Sequence, residues 1–287
     1  MYTSDGPGLV VSDLDGTLLG RGSVIQEKNS LALQKVQARG IPIAIASGRM
    51  AAVCSQMALD MGLTSCRILG LNGGQIWDAP FGHVLETHAF PEALRMRCLS
   101  ILRENNCVYT LYTDEGAYTN QPLDEAGRAH FTRIFQYGGC RAVMAPDAAE
   151  QSLEHPCLKF LVKQRCADEG YLRAQEALAA MPEVYLTTSK SGNFEIMLQG
   201  IGKAEAVQSL ALRLGVPLSR VAAFGDYDND VPMLKACGLS VAMGNALPEA
   251  AAAARFSTRH HDEAGVAWAL EHMLDGDWAA LEKEREQ

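Results

Sequence analysis

The chain has 287 residues with a formal net charge of −9; 48% are hydrophobic and 21% charged. At about 150 residues per compact unit the length suggests two units, and the balance excludes a disordered chain. An acidic chain without a basic stripe is not expected to track nucleic acid, and no apolar run nears the ~20 residues of a membrane span, but one local cationic site for a small phosphate is still allowed.

The first predicted element is the strand inside LVVSDLDGTLLG, Leu9 to Gly20, which ends in Asp13 and Asp15. Side chains two apart on a strand share a face, so these carboxylates are expected side by side, needing a cation, a shared proton or water. A helix from about Gln26 to Arg39 stops at Gly40, and IPIAIA then forms a strand that ends in Ser47, Gly48 and Arg49. The segment MAAVCSQMALDMG reads as a helix, and RILGL as a strand running into Asn72. Such alternation predicts right-handed βαβ units and a parallel sheet.

The alternation resumes late, with a helix from Lys203 to Leu214, the strand RVAAFGD, a helix start at NDVPMLKAC and the strand LSVAMGN. Between the two stretches, His88 to Ser189 carries helices near Pro91–Glu104, Leu123–Phe135 and Asp168–Ala180, and strands CVYTLYT, CLKFLVK and VYLTTS. The predicted class is therefore α/β: a Rossmann-like parallel-sheet core from residues 1–87 and 190–287, with an α+β domain inserted at 88–189. The final WAALEKEREQ reads as a solvated helical tail.

Ligands of open parallel sheets bind at the carboxyl ends of strands, near the point where strand order reverses. Polar residues fall there: Asp13 and Asp15, Ser47, Asn72, and Asp226 followed by Asp228, Asn229 and Asp230. Each has a plainer reading, since DGT makes turns, SGR caps a helix before a surface arginine, and a lone lysine is usually solvated. A calcium loop in GDYDND is excluded, because Val231 and Cys237 stand where glycine and glutamate are needed, and GIGK lacks the other P-loop residues. What remains is a set of carboxylates, a hydroxyl and Lys203 on one sheet edge. Hard oxygen donors suit Mg²⁺, with the hydroxyl, the lysine and backbone N–H groups left for phosphoryl oxygens. Asp13 is then free to attack phosphorus, and Asp15, pointing the same way, to move the leaving-group proton.

These segments resemble the haloacid dehalogenase superfamily, and most of all its Cof-type (subfamily IIB) sugar-phosphate phosphatases. DLDGTLL (13–19), IASGR (45–49), the Lys203 region and GDYDNDVPML (225–234) correspond to its four motifs in order, and VAMGNA and GVAWAL to its closing segments. The resemblance implies a phosphatase of a small phosphorylated metabolite, a sugar phosphate or similar, with Asp13 as nucleophile forming an aspartyl phosphate and Asp15 as general acid and base. It implies Mg²⁺ held by the Asp13 carboxylate, the Asp15 main-chain carbonyl and Asp226, with Asp230 orienting Lys203 or a water on the metal. Ser47, Gly48, Lys203 and Asn229 would bind the phosphoryl group, and the insertion would be a cap that selects the substrate. A phosphomutase of the same fold and a non-catalytic phosphometabolite sensor are the alternatives.

The chain departs from the family pattern at Ser47 and Gly202, where threonine and serine are usual, and at RHHDEA, where His260 and His261 read as a solvated loop. The opening MYTSDGPG has no basic stretch and no apolar segment of secretory length, so a cytoplasmic protein, a monomer or small homo-oligomer without membrane or nucleic-acid partners, is expected. Eight cysteines without a CxxC pair are expected to be reduced thiols, mostly buried.

Overall fold

The computed structural model describes residues 6–79, 82–164 and 169–285; Cys166 and the predicted helix start at Asp168 lie outside the described residues. The opening strand is Leu9–Ser12, and all four side chains are buried. Parallel strands lie on both sides of it, Val221–Gly225 and Ile43–Ala46, which is why its sequence is continuously apolar and not alternating. It is a central strand of the eight-stranded sheet, which runs Phe256–Ser257, Leu239–Ala242, Val221–Gly225, Leu9–Ser12, Ile43–Ala46, Cys66–Gly70, Gln75–Ala79, His83–Thr87. From the opening strand the chain winds outward through Ile43–Ala46 and Cys66–Gly70, then returns on the other side at Val221–Gly225. That reversal is a topological switch point, and it gathers the carboxyl ends of adjacent parallel strands.

The last two strands of this sheet, Gln75–Ala79 and His83–Thr87, are antiparallel and escape the sequence pattern. Asp78 sits in one of them, neutralised by Arg67 on the neighbouring strand, and the other is largely exposed. Neither shows the apolar run that marks the parallel strands.

The second sheet has six strands, in the order Arg141–Met144, Gly116–Thr119, Val108–Thr113, Cys157–Lys163, Asn193–Leu198, Val184–Thr187. Here the predicted boundary at 189–190 needs correction. Asn193–Leu198 pairs antiparallel with Val184–Thr187 and with Cys157–Lys163, and its Phe194 and Ile196 lie in the apolar core of the second unit. Glu195 between them breaks the apolar run, so the strand is hidden in the sequence.

One face of the second sheet is covered by helices Glu92–Glu104 and Glu169–Ala179, through Leu99, Leu102, Ala174 and Leu178. The other face turns toward the strand ends of the first sheet. Helix Glu125–Tyr137, capped by Asp124 accepting from the Gly127 N–H at 2.8 Å, closes one side, with Phe131, Ile134 and Phe135 packed into the same cluster as Met50 and Val53. The C-terminal helix Trp278–Arg285 is not a solvated tail: Trp278 stacks on Phe256 and Leu281 is buried. Among the described residues no helix is long and apolar enough to cross a membrane.

Candidate active site

Asp13 follows the opening strand, and Lys203 begins the helix Lys203–Leu214 that leads to the strand Val221–Gly225. The Lys203 ammonium is buried and donates to Asp13 Oδ1 and to Asp230 Oδ1, each at 2.6 Å. Burial alone lowers the lysine pKa, but the two carboxylates more than reverse that, so it stays a cation. Asp13 responds oppositely. Burial raises its pKa well above the usual carboxylate range, Lys203 pulls it down, and Asp230, Asp226 and Asp15 push it up again. One ammonium does not balance this many negative groups.

Asp226 completes the cluster from the end of the neighbouring strand. Its pKa is pushed up to about 6, first by burial and then by Asp230. The Thr17 hydroxyl donates to its Oδ1 at 3.0 Å, and Asn245 Nδ2 donates to Oδ2 at 3.2 Å and to the Gly16 carbonyl at 2.8 Å. Gly16 has φ +80°, and a Cβ there would lie 2.4 Å from Asp226 Oδ2, so the turn admits only glycine. Asp230 Oδ2 accepts the backbone N–H groups of Asp226 at 3.0 Å and Tyr227 at 3.2 Å.

Carboxylate oxygens of Asp13, Asp226 and Asp230 come within 4.8 Å of one another. An all-oxygen donor set with excess negative charge fits a hard divalent cation such as Mg²⁺. Both Asp230 oxygens are already engaged by the protein, which points its role toward holding Lys203 and the 226–227 turn.

Asp15 is placed differently from the strand-based expectation. The strand ends at Ser12 and the chain turns before Asp15, so alternation no longer governs the two side chains. Its carboxylate is clasped by Arg49, with Nε to Oδ2 at 2.7 Å and Nη2 to Oδ1 at 2.6 Å. Arg49, read as a surface residue, thus belongs to the site. Ser47 is buried and its hydroxyl accepts the Arg49 N–H at 3.2 Å, while Asn229 Nδ2 donates to Asn72 Oδ1 at 3.2 Å. Asn72 itself holds φ 55°.

Sequence reasoning points to the stretches around Tyr109–Tyr118 and Leu158–Val162 for substrate selection, but it singles out neither Lys159 within the second stretch nor Glu195. Both are buried on the inner face of the second sheet, with Lys159 Nζ 3.2 Å from Glu195 Oε1 and 4.8 Å above the Tyr112 ring. They reach across to the first sheet: Lys159 donates to the Gly48 carbonyl at 2.5 Å, and Asn72 Nδ2 donates to Glu195 Oε2. Ser189 adds a donor to Glu195 at 3.0 Å. A Cβ on Gly48 would come within 3.3 Å of Asn72 Oδ1 and 3.5 Å of Lys159 Nζ, so the loop lies directly against this network. His261 also departs from expectation. It is part-buried, its N–H donates to Asn245 Oδ1 at 2.9 Å, and its Nδ1 lies 2.8 Å from the Leu19 carbonyl.

Asp13, Asp15, Ser47, Gly48, Lys159 and Asn229 all line one cavity of about 470 Å³ between the two sheets, while Lys203 stands behind Asp13. A profile of the haloacid dehalogenase-like hydrolases matches residues 10–270. The chain is a haloacid dehalogenase-like hydrolase. The hydrolase is 29% identical over 266 residues to the 5-amino-6-(5-phospho-D-ribitylamino)uracil phosphatase of Bacillus subtilis, covering 93% of this chain and 95% of that one. It is 27% identical over 265 residues to the HMP-PP phosphatase of Cronobacter sakazakii, covering 92% and 94%. A solved haloacid dehalogenase-like hydrolase from B. subtilis superposes with a TM-score of 0.82 at 26% identity, over 92% of this chain and 99% of that one. By class the hydrolase is a phosphoric monoester hydrolase.

Proposed function

We propose that the hydrolase releases phosphate from a small phosphorylated metabolite by way of an aspartyl phosphate on Asp13. The observation that carries this reading is Asp13 itself: one oxygen is fixed by buried Lys203, and the residue lines the cavity. Asp13 would attack phosphorus, forming the aspartyl–phosphorus bond as the ester P–O bond breaks. Asp15 would give the departing oxygen its proton and then take one from the water that attacks the aspartyl phosphate, which frees phosphate and restores Asp13. To do so its carboxylate would have to leave the Arg49 clasp for the reacting oxygen.

The Ser47 hydroxyl, the Gly48 N–H, the Asn229 amide and Lys203 would hold the phosphoryl oxygens. Asp13 and Asp226, with the Asp15 main-chain carbonyl, would hold Mg²⁺, which when bound neutralises charge on the phosphoryl group. Asp230 supports this by keeping Lys203 and the 226–227 turn in place. The second sheet would act as a cap that excludes water and selects the leaving group. The two curated relatives are named for distinct phosphorylated compounds, consistent with one catalytic edge serving different leaving groups. A panel of phosphate esters with Mg²⁺, read as released phosphate, tests the proposal. Turnover that needs Mg²⁺ and is lost in Asp13→Asn is expected; turnover retained in Asp13→Asn would overturn it.

A further inference from the structure

Two buried amides connect the facing sheet to the edge where the phosphoryl group would bind. Glu195 Oε2 accepts Asn72 Nδ2, and Asn72 Oδ1 in turn accepts Asn229 Nδ2 at 3.2 Å. Glu195 and Asn72 are each 2% exposed, and Asn229, at 7%, lines the cavity. The backbone is strained to hold Asn72 in this place. Leu71, Asn72 and Gly73 have φ of 50°, 55° and 97°, a run in the left-handed region that a bulky leucine rarely enters. The Asn72 N–H donates to the Ser47 carbonyl at 2.8 Å, which ties this turn to the loop of Ser47 and Gly48.

A side-chain amide has a donating end and an accepting end, so a chain of amides has a direction, and its first member sets it. Glu195 sets it here. Its Oε1 accepts the Lys159 ammonium at 3.2 Å and the Ser189 hydroxyl at 3.0 Å, and a carboxylate paired with an ammonium offers acceptors only. Asn72 therefore turns its NH2 group toward Glu195 and its oxygen toward Asn229. One hydrogen of the Asn229 NH2 group goes to Asn72, and the other is left for a phosphoryl oxygen. With the relay reversed, a carbonyl oxygen would stand where that nitrogen is, and it would repel the anion.

We propose that Glu195 is a positioning residue for the phosphoryl-binding site: acting through Asn72, it fixes the direction of the relay and so the donor that Asn229 presents. The proposal rests on the phosphatase reading above, in which Asn229 contacts the phosphoryl group. It makes a phosphate contact of the first sheet depend on a carboxylate of the second.

Moving the charge along the relay tests this. In Glu195→Gln the amide oxygen must stay with Lys159 and Ser189, so its NH2 group faces Asn72 and both downstream amides reverse. In Asn72→Asp two carboxylates face each other. In the double variant the carboxylate at position 72 accepts from both sides and Asn229 donates again; aspartate also tolerates the left-handed backbone there. Inorganic phosphate affinity by calorimetry, kcat/KM for p-nitrophenyl phosphate and thermal unfolding are measured on the full chain with Mg²⁺. Each single change should weaken phosphate binding and lower kcat/KM by at least about ten-fold, and the double variant should bind phosphate at least about five-fold more tightly than either single. Glu195→Gln added to Asn229→Ala should cost less than about two-fold more, because the relay then has no donor to direct.

Unchanged phosphate affinity in Glu195→Gln would overturn the proposal, as would a double variant that binds no more tightly than the singles or does not fold. Phosphate binding needs no turnover, which separates the two levels. Ester hydrolysis with Glu195→Gln indistinguishable from wild type refutes only the relay. Phosphate binding that follows the relay pattern without hydrolysis supports the relay alone, and a wild type that neither binds phosphate nor hydrolyses the ester refutes the phosphatase reading and the relay with it.

Discussion

The two sides of the cleft both contain buried charges, and they are balanced differently. On the first sheet, Asp13, Asp226 and Asp230 surround a single ammonium, Lys203, so the site is left negative. On the second sheet, Lys159 and Glu195 match one to one, and their remaining contacts go to Gly48, Asn72 and Ser189. An unbalanced cluster in a low-dielectric site favours binding a cation; a balanced pair is complete and acts through geometry. The strand-end side is thus suited to holding a cation, and the facing side to docking against it.

The sharpest way to break this contrast is at Asp13 and Lys203. Asp13→Asn should cut kcat by at least about 10³-fold while the protein still unfolds cooperatively, because an amide is a poor nucleophile. Lys203→Met should lose activity and also destabilise by about 3–5 kcal/mol, since it leaves buried carboxylates without their cation. Thermal unfolding and phosphate release measured together distinguish the two variants.

The balanced side should behave differently. Lys159→Met leaves Glu195 buried and unpaired, which should cost about 3–5 kcal/mol, and the double change Lys159→Met with Glu195→Leu should recover part of that. Activity should stay low in the double variant, because Gly48 and Asn72 no longer have partners across the cleft. Recovery of both stability and rate would show that the pair serves only to satisfy itself. Arg49→Ala is a smaller perturbation. Its pair with Asp15 is partly exposed, with side-chain exposures of 25% and 50%, so stability should shift by only about 0–1 kcal/mol and turnover should fall far less than in Lys203→Ala.

The thiols give the smallest effect. Burial pushes Cys54, Cys66 and Cys237 up to about 12 from an ordinary value near 9. At pH 8 they should resist alkylation in the folded protein and react once it is unfolded. Because the folded values are the higher ones, their contribution to stability is complete below about pH 9 and is lost as pH rises from 9 toward 12, measurable as a falling denaturation midpoint.

The positions of Asp13, Ser47, Asp226 and Lys203 were legible because each is fixed by a strand end or helix start, and parallel-sheet topology brings such ends together. The direction of the Asp15 side chain was not, since it depends on the turn after Ser12 and on Arg49, which comes from a different strand end. Lys159 and Glu195 were hidden for a deeper reason: in isolation each reads as the outward residue of a strand, and only the antiparallel register of Cys157–Lys163 with Asn193–Leu198 places them on one buried face. The same pairing moves the domain boundary past Leu198. His261 was read from its polar neighbours, whereas its position follows from Asn245 and Leu19, distant in sequence.

The proposed mechanism requires Asp13 to become phosphorylated during turnover. Acid-quenching the hydrolase within the first turnover on a hydrolysed ester, followed by mass spectrometry of the peptide containing Asp13, tests it directly. One added phosphoryl group on Asp13, absent from Asp13→Asn, is the result the account predicts. Phosphate release in the wild type with Asp13 unmodified throughout the first turnover, under a quench that preserves acyl phosphates, would contradict it.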